Sequence, residues 1–172
     1  TSIEWGLGCV EAGERGAAAR ANVATYTDHR ELLSDPNVDV VVITSPNHTH
    51  AAVLTDALAT DKHVLIEKPL CTTVADCLDV MAHAAAAAEQ WPQRVVWMGL
   101  EYRFMPTVST LIGEHATGVC GTTRMVSVRE HRFPFLVKVG DWNRFSVNSG
   151  GTMVDMKAMN RIIGFGAEQF VD

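Results

Sequence analysis

Residues 38–70 contain a strand–helix–strand pattern that constrains the fold more than any other part of the chain. The apolar, β-branched run from Val38 to Thr44 predicts a strand buried on both faces, as in a parallel sheet covered by helices. A second apolar run extends from His63 to Ile66. The pattern therefore predicts two parallel strands joined by a helical crossover. Within residues 50–60, the apolar side chains at helical spacing are Ala51, Leu54, Ala57 and Leu58.

The rest of the first hundred residues continues this alternation of strands and helices. Strands are predicted at residues 3–10 and 95–99, and helices at residues 14–21, 29–33 and 74–89. The order indicates an α/β protein with a doubly wound parallel sheet. In the last of these helices, the apolar residues that share one face are Val74, Leu78, Met81 and Ala85.

The pattern changes after about residue 100, where we expect a second part of the chain to begin. A helix is predicted at residues 105–115 and a strand at residues 122–130. Residues 131–148 are rich in polar and aromatic groups, which favours a long loop over a site. We therefore predict two partial domains, residues 1–100 and residues 101–172.

The composition argues against several classes of function. The net charge is −6 and the basic residues form no run, which is not typical of a nucleic-acid surface. No apolar stretch is long enough to cross a membrane. The four cysteines show no Cys-x-x-Cys spacing, which favours reduced thiols in a cytoplasmic protein. His48 and His50 have no third ligand nearby in the sequence, so we expect no metal site.

The first predicted strand ends in the polar turn Ser45-Pro46-Asn47. This is the carboxyl edge of the predicted sheet, where open parallel sheets bind ligands. Asn47 can cap the following helix and leave the free N–H groups of that helix facing an anionic ligand. The alternative interpretation is that Asn47 is a helix cap and nothing more.

The second predicted strand ends in Glu67-Lys68-Pro69, at the same edge. A lysine in this place lies at the mouth of a cleft. Partial desolvation lowers the pKa of an ammonium group, so Lys68 can serve there as a proton donor or, as the neutral amine, as a proton acceptor near neutral pH. Pro69 fixes the turn that directs the lysine side chain. The alternative interpretation is an ordinary surface salt bridge between Glu67 and Lys68.

The sequence around these two turns, VDVVVITSPNHTHAAVL and KHVLIEKPL, resembles the glucose–fructose oxidoreductase/inositol dehydrogenase (Gfo/Idh/MocA) family. The resemblance spans residues 8–155. It implies a Rossmann-type dinucleotide domain, followed by the start of an α/β substrate domain with an open sheet. The implied function is an NAD(P)-dependent oxidoreductase that transfers hydride at a hydroxyl-bearing carbon of a sugar, polyol or related compound. Further matching segments are Tyr26-Thr27-Asp28, Tyr102-Arg103-Phe104 and Ser149-Gly150-Gly151-Thr152-Met153-Val154-Asp155.

The resemblance also implies roles for individual residues. Lys68 takes the catalytic position beside the nicotinamide and the substrate hydroxyl, and Asp155 orients groups nearby. Glu11 falls where the family has an acidic residue that binds the adenosine ribose, which favours NAD over NADP. The implied cofactor-binding residues are Glu11, Ser45, Pro46, Asn47, His50, Glu67, Lys68, Pro69 and Arg103.

Residues 129–145 are dense in hydrogen-bond donors and aromatic groups, and we expect this segment to recognise substrate. Arginine binds carboxylates or phosphates in fork geometry, and Trp142 can stack on a sugar face. The alternative is a loop held by internal salt bridges and an aromatic anchor. The candidate substrate-binding residues are Lys68, Arg129, His131, Trp142, Asn143 and Arg144.

Two departures from the family pattern shape the functional expectation. No glycine-rich loop follows the first predicted strand, so we assign residues 3–10 to the second strand of the family fold. The first strand and its phosphate loop are then expected before Thr1. The histidine that the family carries four residues after Asp155 is replaced by Met159. One hypothesis is a partial chain of an enzyme that is a homo-oligomer at full length. The other is a family-derived binding or regulatory module without catalysis.

Overall fold

The computed structural model describes residues 7–8, 24–119, 121–122, 124–125 and 139–150. Its strands are β1 (Leu7–Gly8), β2 (Thr25–Tyr26), β3 (Val40–Ile43), β4 (His63–Glu67) and β5 (Val96–Gly99). Its α-helices are α1 (His29–Ser34), α2 (His50–Leu58), α3 (Val74–Gln90), α4 (Pro106–Ala116) and α5 (Ser146–Ser149). Short 3-10 turns occupy Asn47–Thr49, Glu101–Phe104 and Val139–Arg144.

Strands β3, β4 and β5 form a parallel sheet in sequence order. Ile43 of β3 pairs with Ile66 of β4, which pairs in turn with Met98 of β5. Helix α2 connects β3 to β4 and helix α3 connects β4 to β5, so both parallel crossovers are helical. The predicted Rossmann-like α/β fold is thereby confirmed.

Strands β1 and β2 pair in parallel as a separate two-stranded sheet. Strand β2 is absent from the predicted elements, because two residues are too short to produce a periodic signal. Within the described ranges, no ladder joins this pair to the β3–β4–β5 sheet. The expected first strand of the family fold stays a prediction.

The hydrophobic core lies between one face of the β3–β4–β5 sheet and helices α1, α2 and α3. Fully burying a Leu or Ile side chain contributes about 1.5–3 kcal/mol, so this layer dominates the stability of the described part. The prediction that β3 is buried on both faces is wrong. Val40 and Val42, on its other face, are 55% and 43% exposed, because the core helices pack only on the face of Val41 and Ile43. The sheet contributes Val41, Ile43, Val64 and Ile66 to the core.

Helix α3 is predicted from the sequence and is confirmed, but the face that it buries is not the one that carries Val74, Leu78 and Met81. Thr73 caps it, because the Thr73 hydroxyl accepts a hydrogen bond from the N–H of Asp76 at 3.1 Å. Val80 and Ala87 are its buried residues. Two apolar stripes run along this alanine-rich helix, and spacing alone does not decide which one meets the sheet. The stripe that remains exposed includes Val74, Leu78 and Met81.

Two cationic side chains hold the amino edge of the β3–β4–β5 sheet, where the strands begin. The Nζ of buried Lys62 donates to the carbonyl oxygens of Asp35 and Val38, at 2.8 and 2.6 Å. Arg94 Nη1 donates to two carbonyl oxygens at the end of α2, 2.9 and 2.6 Å away. Partial burial lowers the pKa of Arg94 from its ordinary value. These two side chains donate hydrogen bonds to carbonyl groups at the starts of the strands and at the end of α2, and so tie the loops of this edge together.

The chain beyond β5 is described only in part. The predicted helix at residues 105–115 is confirmed as α4, with Pro106 at its first position, where no N–H is needed. Of the predicted loop at residues 131–148, the described portion contains a 3-10 turn and most of α5. The helix predicted at residues 14–21 lies outside the described ranges, as does most of the strand predicted at residues 122–130. The boundary near residue 100 stays a prediction.

Candidate functional site

The carboxyl edge of the β3–β4–β5 sheet, where the strands end, carries a polar turn after each strand. Ser45–Thr49 follows β3, Glu67–Pro69 begins at the last residue of β4, and Glu101–Phe104 follows β5. The three strands are parallel and adjacent, so these turns lie at the same edge. This is the edge at which open α/β sheets bind ligands. The structure therefore brings three of the motifs selected from the sequence to one place.

Asn47 has a buried hydrogen-bond donor that none of the described residues satisfies. The residue is 6% exposed, and its side-chain Nδ2 atom has no hydrogen-bond partner. The interpretation of Asn47 as a helix cap is wrong, because α2 has Thr49 at its N-cap position and no side-chain capping bond. A buried donor without a partner costs about 1–3 kcal/mol. A ligand that supplies an acceptor at this point would offset that cost.

Lys68 is half-buried in the turn after β4, between an exposed carboxylate and a buried proline. Its backbone N–H donates to Glu67 Oε2 at 3.2 Å. The same carboxylate lies against the end of β5, since a methyl group added to Gly99 would lie 3.4 Å from Glu67 Oε1. None of the ion pairs between described residues joins Glu67 to Lys68.

His50 connects the turn after β3 to the turn after β4. Its ring is 1% exposed. The Nδ1 atom lies 2.7 Å from the carbonyl oxygen of Pro69, and the Nε2 atom lies 2.9 Å from the carbonyl oxygen of Ser45. His50, predicted to bind the cofactor, is therefore buried beneath the two turns, and each of its ring nitrogens contacts a backbone carbonyl oxygen.

The turn after β3 is also held by its own hydroxyl groups. Thr49 Oγ1 lies 2.8 Å from the Pro46 carbonyl oxygen, to which it can donate, and 2.6 Å from Ser45 Oγ, which can donate to it in turn. Ser45 and Pro46 are half-buried. Thr49 is absent from the predicted site residues. The signal that could have indicated it is a hydroxyl residue three positions after the turn proline, as in side-chain-stabilised turns.

The turn after β5 and the segment at residues 139–149 complete the described surroundings. The buried Nε of Arg103 has no hydrogen-bond partner. Helix α5 packs against the Asn47–Thr49 turn. The preceding 3-10 turn contains three candidate substrate residues, Trp142, Asn143 and Arg144, and this packing brings their segment to the carboxyl edge. Arg144 Nε also lies 3.3 Å from Asp141 Oδ1.

The other candidates lie outside the described residues, and their roles stay predictions: Glu11, Arg129, His131 and Asp155. Cys71, two residues after Pro69, has a buried thiol. Burial, together with its neighbour Cys77, raises the pKa of Cys71 to about 12. This thiol is therefore protonated near neutral pH and unsuited to act as a nucleophile. No cluster of three or more metal-ligating side chains occurs in the part of the chain that the structure describes. In that same part, no helix has the length and apolar character needed to cross a membrane.

Comparison with known proteins agrees with this geometry. Residues 10–91 match the GFO_IDH_MocA family, described as an oxidoreductase family with an NAD-binding Rossmann fold. Inositol 2-dehydrogenase 1 of Saccharopolyspora erythraea is 42% identical over 95 residues, which cover 54% of this chain and 27% of that protein. Inositol 2-dehydrogenase of Acidothermus cellulolyticus is 36% identical over 107 residues, 62% of this chain and 30% of that protein. The chain thus spans less than a third of the length of these relatives.

A solved structure shows the same likeness. The myo-inositol dehydrogenase of Lactobacillus casei, in complex with NAD(H) and myo-inositol, superposes with a TM-score of 0.58 and 28% identity. The superposition covers 67% of this chain and 34% of that chain. The parallel sheet, the polar turns at its carboxyl edge and the sequence match agree with one another. Residues 10–91 of this chain match the GFO_IDH_MocA family of oxidoreductases, which is described as having an NAD-binding Rossmann fold.

Proposed function

We propose that the protein is an NAD-dependent dehydrogenase that oxidises a hydroxyl-bearing carbon of a polyol of the inositol type. The observation that carries this proposal is the buried, unpartnered Nδ2 of Asn47, at the same sheet edge as the half-buried Lys68. An unsatisfied donor beside a residue able to transfer protons is expected of a site that completes its hydrogen bonds with a ligand. The inositol dehydrogenases among the relatives support the class of substrate.

The described residues fit a dinucleotide. Asn47 Nδ2 and Arg103 Nε are buried donors without partners, and both follow strands of the same sheet. Carboxamide, ribose and phosphate groups are rich in acceptors that such donors bind. When bound, the nicotinamide supplies the hydride acceptor for oxidation or the hydride donor for reduction. The preference for NAD over NADP rests on Glu11 and is part of the proposal.

Lys68 is proposed to transfer the hydroxyl proton of the substrate. Oxidation of an alcohol to a ketone removes a hydride from carbon and a proton from oxygen, so a group beside that oxygen must accept the proton. In the neutral amine form, Lys68 Nζ accepts it, and in the reverse direction the ammonium form returns it. The backbone hydrogen bond between Lys68 and Glu67, and the buried Pro69 that follows, restrict the turn that carries this side chain.

Recognition of the substrate is assigned to the segment that contains Trp142, Asn143 and Arg144. This segment leads into helix α5, which packs on the Asn47–Thr49 turn. A polyol ring has hydroxyl groups on its rim and C–H groups on its faces. Amide and guanidinium groups can bind the hydroxyls, and an aromatic ring can cover a face. The expectation of a homo-oligomer at full length stays a prediction.

The test is a steady-state assay of the full-length protein with NAD and a series of inositols and sugars. Changing Lys68→Ala should lower kcat by about 10²–10⁴-fold, because general acid–base catalysis contributes that much. The dissociation constant for NADH should change far less. Lys68→Arg keeps the positive charge but cannot release a proton, so it should be equally slow.

The outcomes of this assay separate the enzyme from the alternative. Wild-type turnover in Lys68→Ala would contradict the assigned role. A wild-type protein that binds NADH, yet turns over no polyol or sugar in the series, would favour a binding module without catalysis. A wild-type protein that does not bind NADH would contradict the proposed function altogether.

A further inference from the structure

We propose that Ser149 is a positioning residue, which seats helix α5 on the Asn47–Thr49 turn and so couples that turn to the substrate segment, Trp142–Arg144. The consequence for ligand binding rests on the proposed function. The contact between α5 and the turn rests on the packing of the described residues, so the two can be tested apart.

Helix α5 buries a polar residue and exposes an apolar one. Ser149 is 4% exposed, whereas Val147, two residues earlier in the same helix, is 79% exposed. Valine is ordinarily buried more often than serine, so the reversal needs a local cause. Ser149 is the buried residue of α5, and α5 packs against the Asn47–Thr49 turn. We therefore place Ser149 in the contact between the helix and the turn.

A small side chain suits this contact. Ser149 Oγ donates to the carbonyl oxygen of Phe145 at 3.1 Å, so the buried hydroxyl has a partner within its own segment. A packed contact has no room for further methylene groups without displacement of one side. A larger side chain at position 149 should therefore push α5 away from the turn.

The turn beneath α5 is the one that contains the buried donor without a partner. Asn47 is 6% exposed, and no described residue accepts from its Nδ2 atom. The turn is held internally, because the N–H of Thr49 donates to the carbonyl oxygen of Pro46 at 2.9 Å. A ligand that supplies an acceptor to Asn47 should therefore also fix the surface on which α5 rests.

On the other side of the contact, α5 and the substrate segment form one hydrogen-bonded unit. The N–H of Phe145 donates to the carbonyl oxygen of Trp142 at 3.3 Å, and the N–H of Gly150 donates to that of Ser146 at 2.8 Å. The unit is bounded by two residues with left-handed backbone, Asp141 at φ 53° and Gly150 at φ 75°. A displacement of α5 should therefore carry Trp142 with it.

The expected consequence is a coupling between the two ligands. A coenzyme that binds Asn47 orders the surface beneath α5, so less ordering remains to be done when a polyol binds the substrate segment. Coupling of this kind typically changes affinity about 5- to 150-fold, and it acts equally on both ligands.

The first test is amide hydrogen exchange of the full-length protein without ligand. It compares Ser149→Leu with Val147→Leu, because both enlarge a side chain of α5, one in the contact and one on the exposed face. Ser149→Leu should speed exchange of the Thr49 N–H, across the contact, by about 5- to 150-fold, as expected of overpacking. Val147→Leu should match wild type. Unchanged exchange at Thr49 in Ser149→Leu would overturn the contact.

The second test is steady-state kinetics with the polyol that the wild-type protein turns over fastest. In Ser149→Leu the KM for that polyol should rise about 5- to 150-fold, while the Kd for NADH without polyol should change by about threefold or less. Ser149→Ala keeps the small volume and should retain the wild-type KM. A residue with only a structural role would lower stability without this division. A wild-type KM in Ser149→Leu would contradict the coupling.

The two proposals fail separately. If the wild-type protein binds no NADH, the proposed function fails, and exchange at Thr49 still decides whether Ser149 seats α5. If turnover depends on Lys68 while Ser149→Leu changes neither exchange at Thr49 nor KM, the function stands and the positioning role fails. If Ser149→Leu does not fold, NADH added to the wild-type protein should still slow exchange of the Gly150 N–H. Unchanged exchange at Gly150 with NADH bound would overturn the coupling.

Discussion

At both edges of the β3–β4–β5 sheet, side-chain nitrogens contact backbone carbonyl oxygens, but the two edges differ in whether buried donors remain without partners. At the amino edge, Lys62 donates to the carbonyl oxygens of Asp35 and Val38, and Arg94 donates to two carbonyl oxygens at the end of α2. At the carboxyl edge, His50 reaches two carbonyl oxygens in the same manner. Only the carboxyl edge also has buried donors without partners, among the residues that the structure describes.

This difference predicts that the amino edge contributes to folding stability and the carboxyl edge to ligand binding. A buried polar group that is satisfied within the protein contributes to folding, whereas one left unsatisfied costs free energy in the absence of a ligand. The amino edge is therefore expected to affect the free energy of unfolding. The carboxyl edge is expected to affect coenzyme affinity and turnover. The three substitutions considered next test this division, starting with the largest expected effect.

Lys62→Met should lower the free energy of unfolding by about 3 kcal/mol, because it removes two hydrogen bonds from a charged group. The Asp35 carbonyl oxygen keeps its bond from the N–H of Val38, so the loss falls mainly on the Val38 carbonyl oxygen. Methionine retains most of the apolar length of lysine, so the loss reports on the Nζ contacts. The affinity of the folded protein for NADH should remain within about twofold of wild type. Chemical denaturation and fluorescence titration of the full-length protein measure the two quantities.

Asp61→Asn is the control for that substitution, because Asp61 is the exposed neighbour of Lys62. Surface substitutions of this kind change stability by about 0.5 kcal/mol or less. If Lys62→Met weakened NADH binding as much as it weakened folding, the two edges would not be separable and the comparison would fail.

Asn47→Ala should have the opposite profile. If the ligand supplies the acceptor for Asn47 Nδ2, its loss should weaken NADH binding by about 1–3 kcal/mol, or about five- to 150-fold in Kd. The ligand-free variant should be no less stable than wild type, because the substitution removes a buried donor that has no partner and costs about 1–3 kcal/mol. Asn37→Ala is the matched control, since Asn37 is exposed and its side-chain nitrogen donates to Asp35 Oδ1 at 2.9 Å. Equal NADH affinity in wild type and Asn47→Ala would remove Asn47 from the coenzyme site.

The sequence predicts most of the described fold because the signals are local. Continuous apolar runs identify β3 and β4, and the crossover length identifies them as parallel. Features that depend on distant parts of the chain are not predicted. Val40 is half exposed because the helices cover the opposite face of the sheet. Which of the two apolar stripes of α3 is buried likewise depends on how that helix packs against the sheet.

The candidate site divides in the same way. The turns at Asn47 and Lys68 follow from where the strands end, so their position is predictable. The role of His50 is not, because its partners lie 5 and 19 residues away in the sequence and are backbone atoms common to every residue. An unpartnered donor such as Asn47 Nδ2 is likewise a property of the packed structure. It cannot be inferred from residue type.

Tyr26→Phe should give the smallest change in the free energy of unfolding. It tests whether the ionisation of Asp35, at the amino edge, contributes to stability. The Tyr26 hydroxyl donates to Asp35 Oδ2, and this bond, followed by the N–H of Asn37, lowers the pKa of Asp35 below its ordinary value of 3.8. A carboxyl group whose pKa is lower in the folded state contributes stability above its unfolded pKa. That stability is lost as the pH falls through the folded pKa.

The variant should therefore be less stable than wild type at neutral pH, and the difference should shrink as the pH falls below about 4. Thermal unfolding of the full-length wild type and Tyr26→Phe between about pH 7 and pH 2.5 measures this. In an Asp35→Asn background, the pH dependence of the difference should disappear, because no carboxylate remains to titrate. A difference between wild type and Tyr26→Phe that stayed constant down to the lowest pH would show that the hydroxyl acts through packing. The ionisation of Asp35 would then have no part in holding the amino edge.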